Sequence, residues 1–231
     1  WNEFGNLVKE GVATDFTYKE DLAKLLRFES TALDAGKLTG FDNCIDRMAS
    51  EQKEILFLFG KSRESIESGP YLEALKARGL EVLLLTEPVD EYVMQSIREY
   101  KETKIISADS EELKLEKLDQ EKGGNSLNKK DTKSICKWLK DTLKEKVSEV
   151  EVGDRLIDSP VCVVGGEGMG GASARRVMKM MQGMEAALPA PSVKLLINPF
   201  NTIIQGLSEL VKSDESTAQL VAHQLLDNAM A

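Results

Sequence analysis

Two glycine-containing segments of the sequence have the residue types and spacing of loops that bind phosphate groups. One of them, Gly166-x-Gly168-x-x-Gly171, follows an apolar run and precedes a helix-like segment, as a dinucleotide-binding fingerprint does. Such a loop would hold a pyrophosphate at the N-terminus of the helix. The fingerprint also needs a second strand that ends in an acidic residue about 20 positions later, and the sequence there reads Leu188-Pro-Ala-Pro191. Dense glycines also indicate a tightly turning loop, so a nucleotide-dependent enzyme stands as the alternative interpretation.

The second segment, Gly60-Lys61-Ser62, lies between an apolar run and a polar helical segment. A phosphate loop has a further glycine five positions before its Gly-Lys pair, so that backbone amides can surround the phosphate. Ile55 occupies that position, inside the apolar run. The loop would be too short to form a cradle, and we expect no nucleotide site here.

The side chains that most often perform nucleophilic or metal chemistry are few and scattered. The sequence has one histidine, His223, and three cysteines, Cys44, Cys136 and Cys162, which form no Cys-x-x-Cys pair. Without clustered ligands we expect no zinc site, no histidine-based catalytic triad and no cofactor bound to this chain. Isolated thiols are typical of buried cysteines in a reducing compartment, and we expect a cytoplasmic protein.

Composition limits the classes of partner. The 231 residues include 30 Lys or Arg and 39 Asp or Glu, which gives a net charge of −9. An acidic chain without a long basic block argues against nucleic acid or an anionic membrane as the main partner. With 42% hydrophobic residues the chain can bury cores, but no apolar run approaches the roughly 20 residues that span a bilayer.

Apolar patterns predict the helices and strands that would position any site. They indicate an α/β chain whose overall class is α+β. Residues 1–36 have helical spacing, with Asp15 or a capping box of Thr17 and Glu20 as candidate caps. A short helix is predicted near residues 42–48. Apolar runs at residues 54–59, 80–85 and 104–107 alternate with helix-like segments. That alternation predicts a small parallel sheet with right-handed crossovers.

A charged segment, residues 107–130, has the composition of a linker and divides the chain. After it, Ile135, Leu139 and Leu143 indicate a helix. Two strands are then predicted, Val147–Val152 and Val161–Val164. Three helices follow, at residues 172–187, at residues 199–212 with Asn198 as cap, and at residues 216–230.

Methionine is concentrated in one predicted helix and the loop before it. Five of the eight methionines fall within sixteen residues: Met169, Met178, Met180, Met181 and Met184. On a helix, Val177, Met181, Met184 and Leu188 share one face, and Met180 lies beside it. Core packing is the simpler explanation of such a stripe. The functional one is an adaptable binding surface, because unbranched, polarizable side chains repack easily around different partners.

Several longer segments of the sequence are together specific enough to indicate a protein family. They are Val8-Lys-Glu-Gly-Val12, Lys24-Leu-Leu-Arg-Phe-Glu-Ser30, Gly60-Lys-Ser-Arg-Glu-Ser65, Leu72-Glu-Ala-Leu-Lys-Ala-Arg-Gly-Leu-Glu-Val82, Glu87-Pro-Val-Asp-Glu-Tyr-Val-Met94, Asp154-Arg-Leu-Ile-Asp-Ser-Pro160 and Ile197-Asn-Pro199. The chain closely resembles the Hsp90 family of molecular chaperones, bacterial-type or organellar, over essentially its whole length. The resemblance is dense through residue 106 and sparser after it.

The resemblance implies an organisation and a function. Residues 1–50 would be the helical coil of the middle domain, residues 51–106 its small αβα subdomain, residues 107–130 a charged linker, and residues 131–231 the dimerisation domain. The sequence begins with Trp1, and we expect a piece of a longer protein whose ATP- and Mg-binding domain lies upstream. This fragment would then hydrolyse no ATP. Its partners would be a second copy of itself and partly folded client proteins, without nucleic acid or membrane.

The resemblance also implies binding residues. The expected client-binding residues are Glu91, Tyr92, Gln95, Val177, Met180, Met181 and Met184. The last two helices would form a four-helix bundle with those of a second copy. Its expected interface residues are Ile203, Ile204, Leu207, Leu210, Leu220, Val221, Leu225 and Leu226.

Overall fold

A computed structural model describes residues 1, 3–15, 17–115, 126–165 and 193–230 of the chain. In it, Ile55–Phe59 forms β2, the central strand of the first sheet. Its five side chains are all buried, as a continuous apolar run in a parallel sheet requires. β2 pairs in parallel with β3 (Val82–Leu85) and β5 (Thr103–Ser107). The predicted small parallel sheet is therefore confirmed in its three inner strands.

Short antiparallel strands form the two edges of this sheet, and the sequence patterns did not indicate them. β1 (Glu29–Ser30) pairs with β3, and β4 (Glu99–Tyr100) pairs with β5. The prediction of helix through residue 36 is therefore wrong beyond Ala23. Phe28 is buried in the core next to β1, where extended backbone lets the chain hydrogen bond to the sheet.

The helices of this part are short. They are α1 (Gly5–Thr14), α2 (Lys19–Ala23), α3 (Phe41–Arg47), α4 (Arg63–Glu67), α5 (Glu73–Ala77), which follows a 3₁₀ turn at Pro70–Leu72, and α6 (Pro88–Ser96). Asp15 accepts the backbone N–H groups of Thr17 and Tyr18 at 2.8 and 3.2 Å in the turn before α2. Tyr18 directly precedes α2 and makes no side-chain capping hydrogen bond, so both predicted caps, Asp15 and the Thr17 capping box, are wrong. Side chains from Val12 to Ile105 share one core, so residues 1–50 pack directly on the sheet.

The second sheet, as described, has three strands. β6 (Val147–Val152) and β7 (Val161–Val164) have the predicted bounds. β8 (Val193–Ile197) lies between them, parallel to β6 and antiparallel to β7. β8 is absent from the predicted elements, although its burial and its position between prolines and Asn198-Pro199 are typical of a central strand.

Three described helices cover this sheet: α7 (Lys129–Thr142), α8 (Thr202–Ser213) and α9 (Glu215–Met230). α8 begins later than predicted, and its cap is Asn201, whose side chain accepts the N–H of Ile203 at 2.8 Å. The assignment of Asn198 as that cap is wrong. The side-chain amide of Asn198 instead donates to the carbonyls of Ile157 and Ser159. The helix predicted at residues 172–187 lies outside the described residues.

The two sheets are joined by a shared core and by buried polar contacts. Apolar side chains of β2 and β3 pack with those of β7 and β8 in one cluster. The Tyr71 hydroxyl donates to the carbonyl of Val163 at 2.7 Å. The buried guanidinium of Arg155 donates to the carbonyls of Ala108, at 3.0 Å, and Leu113. Side chains and backbone of both parts thus meet across a well-packed interface.

A carboxylate from the first part holds a loop of the second part. Glu73, at the start of α5, accepts the backbone N–H groups of Ile157, Asp158 and Ser159 at 2.8, 2.9 and 3.0 Å, and the Ser159 hydroxyl also donates to it. Hydrogen bonds to a charged acceptor are stronger than those between neutral groups. We call this set of contacts the Glu73 clamp.

Candidate functional site

The helix expected to carry a binding surface, α6, starts with strong local signals. Pro88 occupies its first turn, where a missing N–H costs nothing. Glu87 and Asp90 form a reciprocal capping box, in which the Asp90 carboxylate accepts the N–H of Glu87 at 3.1 Å. These contacts fix where α6 begins, and therefore which of its side chains face outward.

A buried ion pair attaches α6 to α1. The ammonium group of Lys9 lies 2.6 Å from the Asp90 carboxylate and 2.9 Å from that of Glu87. Both Lys9 and Asp90 are almost inaccessible to solvent. Burial raises the pKa of Asp90 above its usual value, and the charge of Lys9 together with its hydrogen bond acts in the opposite direction. The pair positions α6 at the cost of dehydrating two charges.

The outer face of α6 brings two of the expected client-binding residues together. Tyr92 is 48% exposed, and Gln95 is also exposed. Glu91 is buried, and its carboxylate accepts the side-chain amide of Gln95 at 3.2 Å. Glu91 therefore orients Gln95 and offers little surface of its own.

Tyr92 borders a shallow groove between α1 and α6 with a volume of about 400 Å³. The lining is mostly apolar or small and includes Ala13, Thr14 and Val89. Of these residues, none was among the sequence-based candidates, because sequence spacing does not show which face of α1 meets α6. A phenol ring beside an open groove can bury apolar surface of a ligand.

The other expected client-binding residues, Val177, Met180, Met181 and Met184, lie outside the described residues. The same holds for Gly166-x-Gly168-x-x-Gly171. The strand before it, β7, pairs antiparallel with β8, whereas a dinucleotide fold needs a parallel crossover there. This topology argues against the nucleotide-dependent enzyme.

The Gly60-Lys61-Ser62 segment has local structural roles. The Ser62 hydroxyl accepts the N–H of Ser65 as the cap of α4. A Cβ at Gly60 would lie 2.5 Å from the side chain of Ile66, so close packing requires glycine there. These contacts account for both residue types without a phosphate.

The cysteines are unpaired thiols. Cys44 and Cys162 are buried, and burial raises the pKa of each to about 12, so neither thiol ionises readily. Within the described ranges, no group of His, Cys, Asp and Glu side chains is arranged to hold a metal ion. No helix in the described part of the chain has the length and apolarity needed to cross a membrane.

The eight expected dimer-interface residues divide by exposure. Ile203 on α8 and Leu220 on α9 are 48% and 70% exposed. Leu210 and Val221 are partly buried. The other four pack into the core of the second part: Ile204, Leu207, Leu225 and Leu226. The surface available to a partner therefore centres on Ile203 and Leu220.

Comparison with known proteins places the whole chain in one family. The family model for "Hsp90 protein" matches residues 1–231. The chain is 36% identical to Chaperone protein HtpG of Desulfotalea psychrophila, over 100% of the chain and 38% of that protein. It is 39% identical to Chaperone protein HtpG of Desulfitobacterium hafniense, over 99% of the chain and 37% of that protein. It is also 38% identical to the Endoplasmin homolog of Arabidopsis thaliana, over 96% of the chain and 28% of that protein. The chain thus spans less than two fifths of the length of these relatives, and it belongs to the Hsp90 family of chaperones.

Proposed function

We propose that this chain is the part of an Hsp90-family chaperone that binds partly folded client proteins and dimerises through α8 and α9. The observation that carries the proposal is the exposed Tyr92 beside the groove between α1 and α6. Partly folded proteins expose apolar segments, and a shallow apolar groove with a few polar groups suits many of them. The chain contributes binding surfaces, and hydrolysis of ATP belongs to another part of the full-length protein.

Two further features support the dimerisation half of the proposal. α8 and α9 are adjacent in the chain, contact each other and pack on one core. Ile203 on α8 and Leu220 on α9 are exposed large apolar side chains. A two-fold symmetric pairing would bury both residues in each copy. The cytoplasm is the compartment that we propose, since reduced cysteines suit it.

Replacing Tyr92 by alanine is expected to weaken client binding at least tenfold, because an interfacial tyrosine that becomes buried contributes on the order of 1.5–3 kcal/mol. Reduced, carboxymethylated α-lactalbumin is a suitable client, since it cannot refold. Fluorescence anisotropy of the labelled client measures the affinity.

Tyr18→Ala provides the matched control, because Tyr18 is also exposed but does not line the groove. It should leave client affinity within twofold of the parent. Equal losses in both variants, or no loss in Tyr92→Ala, would remove the groove from the client site. Circular dichroism should show the same thermal unfolding for parent and variants.

A further inference from the structure

A second groove lies in the other half of the chain, at the carboxyl ends of the parallel strands β6 and β8. Its volume is about 590 Å³. Leu127, Val152 and Pro199 form an apolar floor, and three lysines of α7 surround it: Lys129, Lys130 and Lys133. Val152, at the end of β6, is 45% exposed, although Val150, two residues earlier on the same face of the strand, is buried. We call this the lysine groove.

The charge around the lysine groove is the opposite of the charge of the chain. The protein carries a net −9, yet no carboxylate is among the described residues that line the groove. Nearby acids are already engaged, since Asp131 pairs with Lys212 at 3.2 Å and Glu151 with Lys194 at 2.7 Å. In the part of the chain that the structure describes, none of the ammonium groups of the lysine groove forms an ion pair with a carboxylate.

The position of two of these lysines is unfavourable for their own helix. Lys129 and Lys130 are the first residues of α7, directly after its cap Asn128. A helix has a partial positive charge at its N-terminus, so cations there are destabilising and anions are stabilising. Helix stability therefore does not explain the cluster. A negatively charged partner would offset the repulsion between the lysines and the helix dipole.

We propose that the lysine groove binds an extended acidic peptide segment of a partner protein. An apolar side chain of the peptide would lie on Val152 and Pro199, and its carboxylates would pair with the three lysines. A peptide fits better than nucleic acid, because no aromatic side chain for base stacking is among the described residues of the groove. This surface is separate from the client-binding groove at Tyr92 and does not depend on it.

Binding of a labelled twelve-residue peptide with alternating Glu and Leu tests this proposal in the full chain. We expect the affinity to fall as sodium chloride is raised, because the pairs are exposed and screened. The triple variant K129Q/K130Q/K133Q should bind at least tenfold more weakly. The control K137Q/K140Q/K144Q removes the same charge from the rest of α7 and the turn after it, outside the groove, and should bind within twofold of the parent. Val152→Asp should also weaken binding, by adding an acid to the apolar floor.

Three results would overturn the proposal. Equal losses in both triple variants would indicate general charge attraction without a site. Equal binding of a peptide with Gln in place of Glu would show that carboxylates are not recognised. Tighter binding of a single-stranded oligonucleotide that displaces the peptide would assign the groove to nucleic acid. The lysine variants change exposed side chains, so their thermal unfolding should match that of the parent or lie slightly above it.

Discussion

Replacing Lys9 by methionine is expected to lower the free energy of unfolding by about 3–5 kcal/mol, because it leaves a buried charge without its partner. Methionine keeps the length and apolar stem of lysine but removes the ammonium group that contacts Asp90 at 2.6 Å. Urea denaturation monitored by circular dichroism measures the change. Client binding should weaken as well, since the ion pair positions α6 and therefore Tyr92.

A double variant separates the buried charge from ordinary packing. In Lys9→Met with Asp90→Asn, position 90 is neutral and can still accept the N–H of Glu87, so most of the lost stability should return. Lys24→Met is the matched control, because its pair with Asp21 is exposed, and unfolding should be unchanged. A double variant as unstable as Lys9→Met would contradict the role of the charge.

The Lys9→Met variant should also respond to pH with a defined sign. Burial already raises the pKa of Asp90 in the folded protein, and removal of Lys9 would raise this pKa further. The folded variant then holds a proton more tightly than the unfolded chain. The difference in free energy of unfolding between the parent and Lys9→Met should be largest at neutral pH. It should shrink as pH falls through the raised pKa of Asp90 toward the ordinary carboxyl range.

Glu73→Ala is the second large effect that we expect, because it removes the Glu73 clamp. Three backbone N–H groups and the Ser159 hydroxyl lose a charged acceptor. Since the site is partly exposed and water can replace some of these bonds, we expect a loss of about 2–3 kcal/mol. The second part should also begin to unfold separately from the first, giving a broader or two-step transition in calorimetry.

Hydrogen exchange locates this effect. The amides of residues 157–159 should exchange faster in Glu73→Ala, and the amides of β2 should not change at low temperature. Lys76→Ala, on the exposed side of the same short helix, should leave both regions unchanged. A single sharp transition at the parent temperature would show that the clamp does not hold the two parts together.

The same loop contacts the start of α8 from the other side. Asn198 donates to the carbonyls of Ile157 and Ser159, and Asn201 donates to that of Asp158 while capping α8. Peptide groups of one loop are thus held by a carboxylate of the first part and by amides next to the predicted dimerisation helix. The Glu73 clamp therefore lies in a continuous polar connection between the two regions.

Strands with strong local signals were predictable from the sequence, and contacts between distant residues were not. β2, β6 and β7 follow from their apolar runs, and the motifs indicated the family. β8 was missed because it follows a proline-rich segment that reads as loop. The Glu73 clamp joins residues 84 to 86 positions apart, and no local pattern marks it.

The candidate site shows the same division. The motif around Tyr92 indicated α6 as a binding element, but the structure was needed to show that Tyr92 and Gln95 face outward while Glu91 is buried. Helical spacing identified the apolar positions of α8 and α9. Spacing alone cannot separate Ile203 and Leu220, which are exposed, from Ile204 and Leu226, which complete the core.

Sedimentation at micromolar concentration tests the central claim most directly. The chain has a mass of 25.6 kDa, and we predict a dimer of twice that mass. Leu220→Asp combined with Ile203→Asp should give a folded monomer, because both side chains are exposed and an added charge disrupts only the interface. Leu38→Asp, at another exposed apolar position, should remain dimeric. A parent chain that sediments as a monomer at every concentration tested would contradict the account.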